Sequence, residues 1–243
     1  MGNYMVIGYE GVNDMNVKFQ ITRVFVFSFF SLMFFCLVAI LMRADKLVDF
    51  DRTVIGAVQS QEAPYITSIM KFFTEIGSTK IVVILCLFII FFLYKVLHHR
   101  LELLLFIGVV VGTPILNTLL KEIFQRARPD LHRLIEIGGY SFPSGHAMNA
   151  FTVYGILTFL LWRHIFNRGG RILLILFSSF FIIMIGVSRI YLGVHYPSDI
   201  IGGYFASGFW LAVSIWFFQW YMERQRQPQL DSRMLKRSVK TSK

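Results

Sequence analysis

The sequence predicts an all-α integral membrane protein, a bundle of six apolar helices with short interfacial helices in its first outer loop. Three observations carry that prediction. Of the 243 residues, 56% are hydrophobic and only 16% charged, against about 45–50% apolar and about 25% charged in soluble domains. The excess is gathered into runs long enough to cross a bilayer, which takes about 20 mostly apolar residues. The basic and titratable clusters that could do chemistry stand at the ends of those runs.

Residues 1–21 are mixed in character and read as a cytoplasmic N-terminal segment. The first apolar run, 22–42, has no A-x-A-like cleavage site after it and reads as a retained anchor. In the loop that follows, Ile66, Ile69, Met70 and Phe73 repeat at helical spacing, and "DFDRTVIGAV" precedes them with Asp49 or Asp51 as a cap. Residues 49–76 are therefore expected to form short helices lying in the interface. The remaining spans are expected near 80–98, 101–120, 147–166, 172–188 and 199–221. Residues 22–221 make one domain, followed by a basic cytoplasmic tail, 222–243.

Pro114 and Asn117 in the third span suggest a kink and a polar contact. Gly202, Gly203, Ala206 and Ser207 in the sixth suggest close helix packing. Cys36 and Cys86 lie in apolar runs without disulfide or metal spacing, so both are expected to be buried.

Six spans put both termini on one side. That side carries 14 of the 24 Lys and Arg residues, seven of them in the tail: Arg224, Arg226, Arg233, Lys236, Arg237, Lys240 and Lys243. The positive-inside rule then places the termini in the cytoplasm. A net charge of +10 fits residues that fix orientation and meet anionic membrane lipids; no nucleic-acid partner is expected.

On this layout four polar clusters meet at the outer face. "KEIFQRARP" (121–129) leaves span three, "PSGH" (143–146) opens span four, "SR" (188–189) closes span five, and "HYPSD" (195–199) opens span six. Lys121, Arg128 and Arg189 supply unmatched positive charge where charge is costly, and a phosphate-like polyanion would resolve that cost. Arg126 and Arg133 read as loop charges, although Arg126 could be a fourth cation. Pro143, Ser144 and Gly145 form a helix start, where free N–H groups bind anions. Asp199 either caps the sixth helix or orients the imidazole of His195, four residues earlier. His146 and His195 together could supply a nucleophile and an acid for phosphoryl transfer.

K-x6-R-P from Lys121 to Pro129, P-S-G-H from Pro143 to His146 and S-R-x5-H-x3-D from Ser188 to Asp199 stand complete and in order. With these motifs the chain resembles the type 2 phosphatidic acid phosphatases, membrane-bound lipid phosphate phosphatases that share a phosphate site with vanadium haloperoxidases. The resemblance implies that His195 is the nucleophile, forming a phosphohistidine, with Asp199 orienting it and His146 as general acid. It implies that Lys121, Arg128, Arg189, Ser144 and Gly145 hold the phosphate, with no metal or other cofactor. The implied substrates are undecaprenyl pyrophosphate, phosphatidylglycerol phosphate or phosphatidic acid, at the outer leaflet. The alternatives are a non-enzymatic lipid-phosphate carrier, or a transphosphatase with an acceptor other than water.

Overall fold

The computed structural model describes residues 14–92, 94–95, 100–130, 132–162 and 164–241, with side chains between Thr22 and Gln225, Phe92 and Arg100 apart. All regular structure among them is helical. The order is α1 (Asp14–Arg43), α2 (Val48–Gln59), α3 (Pro64–Ile76), α4 (Thr79–Phe92), α5 (Arg100–Phe124), α6 (Gly145–Trp162), α7 (Arg168–Tyr191) and α8 (Pro197–Thr241).

By length and composition four of these can cross a membrane, within α1, α5, α7 and α8; α3 and α4, bent by 51° at their junction, can form a fifth span together. The 18-residue α6 differs in kind. It packs against α5, α7 and α8 and buries Met148, Val153, Ile156 and Leu160, so α6 is the central post of the bundle. The outer helices expose Phe29, Leu37, Phe88, Leu104 and Leu176, as expected where the surrounding solvent is hydrocarbon.

Helices gain little hydrophobic energy from each other in lipid, so close packing and internal hydrogen bonds decide their association. The small residues of α8 serve that end. Ser207 Oγ donates to the Met148 carbonyl at 3.1 Å. A Cβ on Gly203 would stand 3.1 Å from the Ser144 carbonyl, and one on Gly202 would enter the Phe142 ring at 2.5 Å. Phe142 is fully buried, stacked on Phe35 and edge-on to Phe124. It joins α1, α5 and α8 directly beneath the loop that opens α6.

The first loop is structural as well. Val58, Ile66 and Met70 pack on Tyr191, Leu192 and Val194. Gln59 Nε2 donates to the His132 and Tyr191 carbonyls at 3.0 and 3.3 Å. With Phe73 buried as well, three of the four stripe residues are core, while Ile69 is exposed.

Two expectations need correction. Neither Asp49 nor Asp51 caps α2; Leu47 occupies that position with no side-chain bond, and Asp51 is engaged elsewhere. Cys86 is buried but Cys36 is exposed, because α1 is peripheral and presents that face outward. The tail beyond 221 continues α8 to Thr241: Glu, Gln, Lys, Arg, Met and Leu favour helix strongly enough that helicity outlasts apolarity. The span boundary at 98 falls outside the described residues, as do residues 1–13 of the N-terminal segment.

Gly202→Ala should lower stability by about 1–3 kcal/mol, because Phe142 is packed on two sides and cannot yield. Thermal unfolding in detergent measures this, with Gly56→Ala, whose Cβ would meet open space, as the matched control.

Candidate active site

Two connections build the site: residues 125–144 between α5 and α6, and residues 192–196 between α7 and α8. Gln125, at φ 47°, turns the chain out of α5. Gly193, at φ 73°, passes so close to His132 that a Cβ would lie 1.8 Å from its carbonyl oxygen. Only glycine fits a backbone with both that twist and that neighbour. The Leu134 N–H donates to the Leu192 carbonyl at 3.1 Å, which ties the two connections together.

His195 sits on the second connection, 2% exposed. Its Nδ1 lies 3.3 Å from Asp199 Oδ2 and its Nε2 lies 3.1 Å from Arg128 Nη1. A guanidinium can only donate. Nε2 must therefore present its lone pair to Arg128, and the ring proton belongs on Nδ1, facing Asp199. Burial is the largest influence on this ring and pulls its pKa down to about 4; Asp199 opposes the shift while Arg189 and Arg128 add to it. At neutral pH the imidazole is uncharged, with its free nitrogen turned toward cations.

Asp199 has no exposed surface. Its Oδ2 accepts from the Tyr196 N–H at 2.8 Å, from Ser141 Oγ–H and from His195. Its Oδ1 accepts from Arg126 Nη1 at 2.6 Å. Its own carbonyl accepts from the Ser144 N–H at 3.1 Å, so the start of α8 grips the start of α6. Ser144 Oγ accepts from the Ala147 N–H at 3.4 Å, which leaves its hydroxyl proton for another partner.

Arg128 is anchored by Nε to the Gly138 and Gly139 carbonyls and by Nη1 to the Val194 carbonyl at 2.8 Å. Arg189, 2% exposed, donates from Nη1 to Thr74 Oγ1, while its buried Nε has no hydrogen-bond partner. An unpaired guanidinium N–H in a buried site is costly, and an anion would satisfy it. Lys121 has Arg128, Asp199 and Arg189 as its charged neighbours. His146 shares Arg189, His195, Lys121 and Arg128 and lies against Gly77, where a Cβ would meet its Cδ2 at 3.2 Å. Asn117 Nδ2 donates to the Pro143 carbonyl at 3.0 Å and flanks Gly145, so the polar contact expected of it supports the α6 turn.

All eight residues expected at the site, Lys121, Arg128, Ser144, Gly145, His146, Arg189, His195 and Asp199, lie around this one mouth. Three more belong to it and were not expected there, Asp51, Ser141 and Thr74; Arg126, read as a loop charge or a fourth cation, belongs to it too. Arg126 is not a loop charge but spans two buried carboxylates. One sequence signal was available: Arg126 and Arg128 are two apart in an irregular, outstretched segment and need not serve the same partner. Arg133 does stay in its loop, donating to the Pro129 carbonyl, and His132 pairs with Glu62 at 2.8 Å.

The family model described as the PAP2 superfamily matches residues 102–223. Phosphatidylglycerophosphatase B of Bacillus subtilis is 31% identical over 200 residues, 80% of this chain and 96% of that protein. The lipid A 4'-phosphatase of Bacteroides thetaiotaomicron is 30% identical over 146 residues, 51% of this chain and 59% of that one. Among solved structures, the transmembrane PAP2 type phosphatidylglycerolphosphate phosphatase from Bacillus subtilis matches with a TM-score of 0.70 at 27% identity, over 81% of this chain and 96% of that chain. The chain belongs to the PAP2 superfamily and is a multi-pass membrane lipid phosphatase.

Thr74→Val should raise KM for a lipid phosphate about tenfold, the worth of one hydrogen bond to a buried charge. Thr74→Ser should restore it. Steady-state kinetics on the three proteins decide.

Proposed function

We propose that the protein hydrolyses a lipid phosphate through a phosphohistidine on His195, without a metal. The observation that supports this most directly is the orientation of that ring, with Nδ1 held by Asp199 and Nε2 turned to the cations. The Nε2 lone pair attacks phosphorus, an N–P bond forms, and the P–O bond to the lipid breaks. His146 gives its proton to the departing oxygen, and the bound phosphate favours the protonated form of His146 until then. Asp199 stabilises the charge that appears on the His195 ring. Water then attacks the phosphohistidine, His146 takes its proton, and the N–P bond breaks to release inorganic phosphate.

Lys121, Arg128 and Arg189, with the Ser144 hydroxyl and the Gly145 N–H, hold the phosphate oxygens. Fixed donors of this kind act mainly on the charge of the transition state. Three cations facing one anion supply the charge for which other phosphatases use metal ions.

The same reading crosses the bilayer six times, with α6 as one crossing, α2 and α3 along the outer interface, and 22–221 as the catalytic domain. The Lys and Arg distribution supports cytoplasmic termini and a site facing the extracytoplasmic side, and the basic end of α8 suits an anionic leaflet. Among substrates we favour phosphatidylglycerol phosphate, since the relative similar over most of both chains bears that activity in its name. Undecaprenyl pyrophosphate and phosphatidic acid are the competitors.

Phosphate release by detergent-purified protein in excess EDTA tests the core of this reading. All three lipids should be offered side by side, with His195→Ala as control. Turnover should persist in EDTA, vanish in His195→Ala and rank phosphatidylglycerol phosphate first. Release that is unchanged in His195→Ala refutes the phosphohistidine.

The pH profile gives a second test. His195 must be neutral to attack, and burial holds its pKa to about 4, so kcat/KM should survive below pH 6 and fall as pH drops toward that value. Asp199→Asn removes a group that favours the protonated ring, and should move the acid limb lower while slowing turnover. An acid limb centred on about 6.5, the ordinary histidine value, after correction for substrate ionisation would contradict the buried neutral ring.

A further inference from the structure

Asp51 belongs to α2, far from every phosphatase motif in sequence and outside the residues that match the family model. It is nevertheless almost completely buried, with its side chain 2% exposed. Its Oδ1 accepts from the Ser198 N–H at 2.9 Å. Its Oδ2 accepts from the Ser198 hydroxyl at 2.7 Å and from Arg126 Nη2 at 2.8 Å. The second prong of the same guanidinium, Nη1, reaches Asp199 Oδ1 at 2.6 Å and Ser198 Oγ at 2.8 Å. Below it the guanidinium carbon lies 4.0 Å from the centre of the Tyr196 ring.

Arg126 thus bridges two carboxylates, one per prong. We propose that Asp51 is a positioning residue for phosphoryl transfer: from α2 it holds Arg126 and the first turn of α8, and so keeps the Asp199 carboxylate in register with His195. The proposal rests on the catalytic reading of His195 and Asp199 given above.

The geometry explains why a second carboxylate is needed. A guanidinium facing one carboxylate prefers to fork it, with two parallel N–H bonds to its two oxygens. In this site a fork on Asp199 would claim Oδ2, the oxygen that serves His195, Ser141 and the Tyr196 N–H. Asp51 takes the second prong and leaves Oδ2 to the imidazole. It also receives the free N–H of Ser198 in the first turn of α8, so that the helix carrying Asp199 is fixed at its start. α2 is then a wall of the active site, docked through Ile55 against Ile190 and Ile200.

Asp51→Asn keeps the shape and removes the charge that competes for Arg126. The expected result is a kcat lower by about 100-fold, the cost of a small misplacement of a reacting group. KM and inhibition by inorganic phosphate should stay at wild-type values, because Lys121, Arg128 and Arg189 are untouched. Arg126→Lys asks the same question from the other side, since one ammonium keeps the charge but cannot bridge in the plane of both carboxylates. It should show the same kcat loss at constant KM, and it decides alone if Asp51→Asn does not fold. In Asp51→Asn/Arg126→Lys the two losses should overlap and not multiply.

Wild-type kcat in both single variants overturns the proposal, as do losses that multiply. A KM that rises in step with the fall in kcat, together with a lowered melting temperature, also overturns it, for that is the signature of a merely structural contact. His195→Ala is assayed in the same series. Activity surviving there overturns the catalytic reading and this proposal together, whereas an inactive His195→Ala beside unimpaired Asp51→Asn overturns this proposal alone.

Discussion

The structure turns on one buried carboxylate. Asp199 has no contact with solvent, and a lone ionised group in such a place would cost several kcal/mol. It is stable there because both oxygens are met by donors: Arg126 on one, and Ser141, His195 and the Tyr196 N–H on the other. Those donors come from the α5–α6 loop and the α7–α8 turn. Satisfying one acid therefore brings together parts of the chain more than 70 residues apart. Its backbone carbonyl, bonded to the Ser144 N–H, draws the start of α6 into the same assembly.

Around this saturated acid the cations are under-satisfied by protein. Arg189 keeps an unpartnered Nε in the interior, and Lys121, Arg128 and Arg189 stand near enough to oppose each other. Such a cluster is tolerable when something anionic is due to enter. The scaffold holds it open by close packing, since hydrocarbon outside the bundle gives little force inward. Phe142 beneath the loop, with Gly202, Gly203 and Ser207 on α8, are that packing. The site and the helix crossings are consequences of the same few contacts.

This division explains what the sequence disclosed. The eight motif residues could be found because their spacing is local: K-x6-R-P and S-R-x5-H-x3-D fall at ends of apolar runs, and two runs ending on one face can be read from a hydropathy pattern. Asp51, Thr74 and Ser141 carry no such mark. Asp51 meets Ser198 across 147 positions, and Thr74 meets Arg189 across 115. Before the fold is known, an aspartate in the first turn of a short amphipathic helix looks like a cap. The role of Arg126 was left between a loop charge and a fourth cation for the same reason, since its partners lie 75 positions before it and 73 after it. The exposed Cys36 concerns which face of a helix meets lipid, which composition does not encode, and the continuation of α8 to Thr241 follows helix propensity, which a search for apolar runs does not register.

Arg126 and Arg128 show how one short segment supplies two opposite electrostatic tasks. They are two residues apart, yet Arg126 is neutralised by a pair of buried acids while Arg128 is held by backbone carbonyls, which orient it without cancelling its charge. If both were paired with carboxylates, the mouth would lose the field that draws an anion in. If both were left free, Asp199 would lack its counter-ion and the His195 ring its fixed partner. On the proposed reading the His195 imidazole needs a neutral, rigid side and a positive, open side, and the alternation of these two arginines supplies one of each. The first loop follows from that requirement: α2 brings the acid that completes the neutral side, and α3 brings the threonine that steadies a cation on the open one.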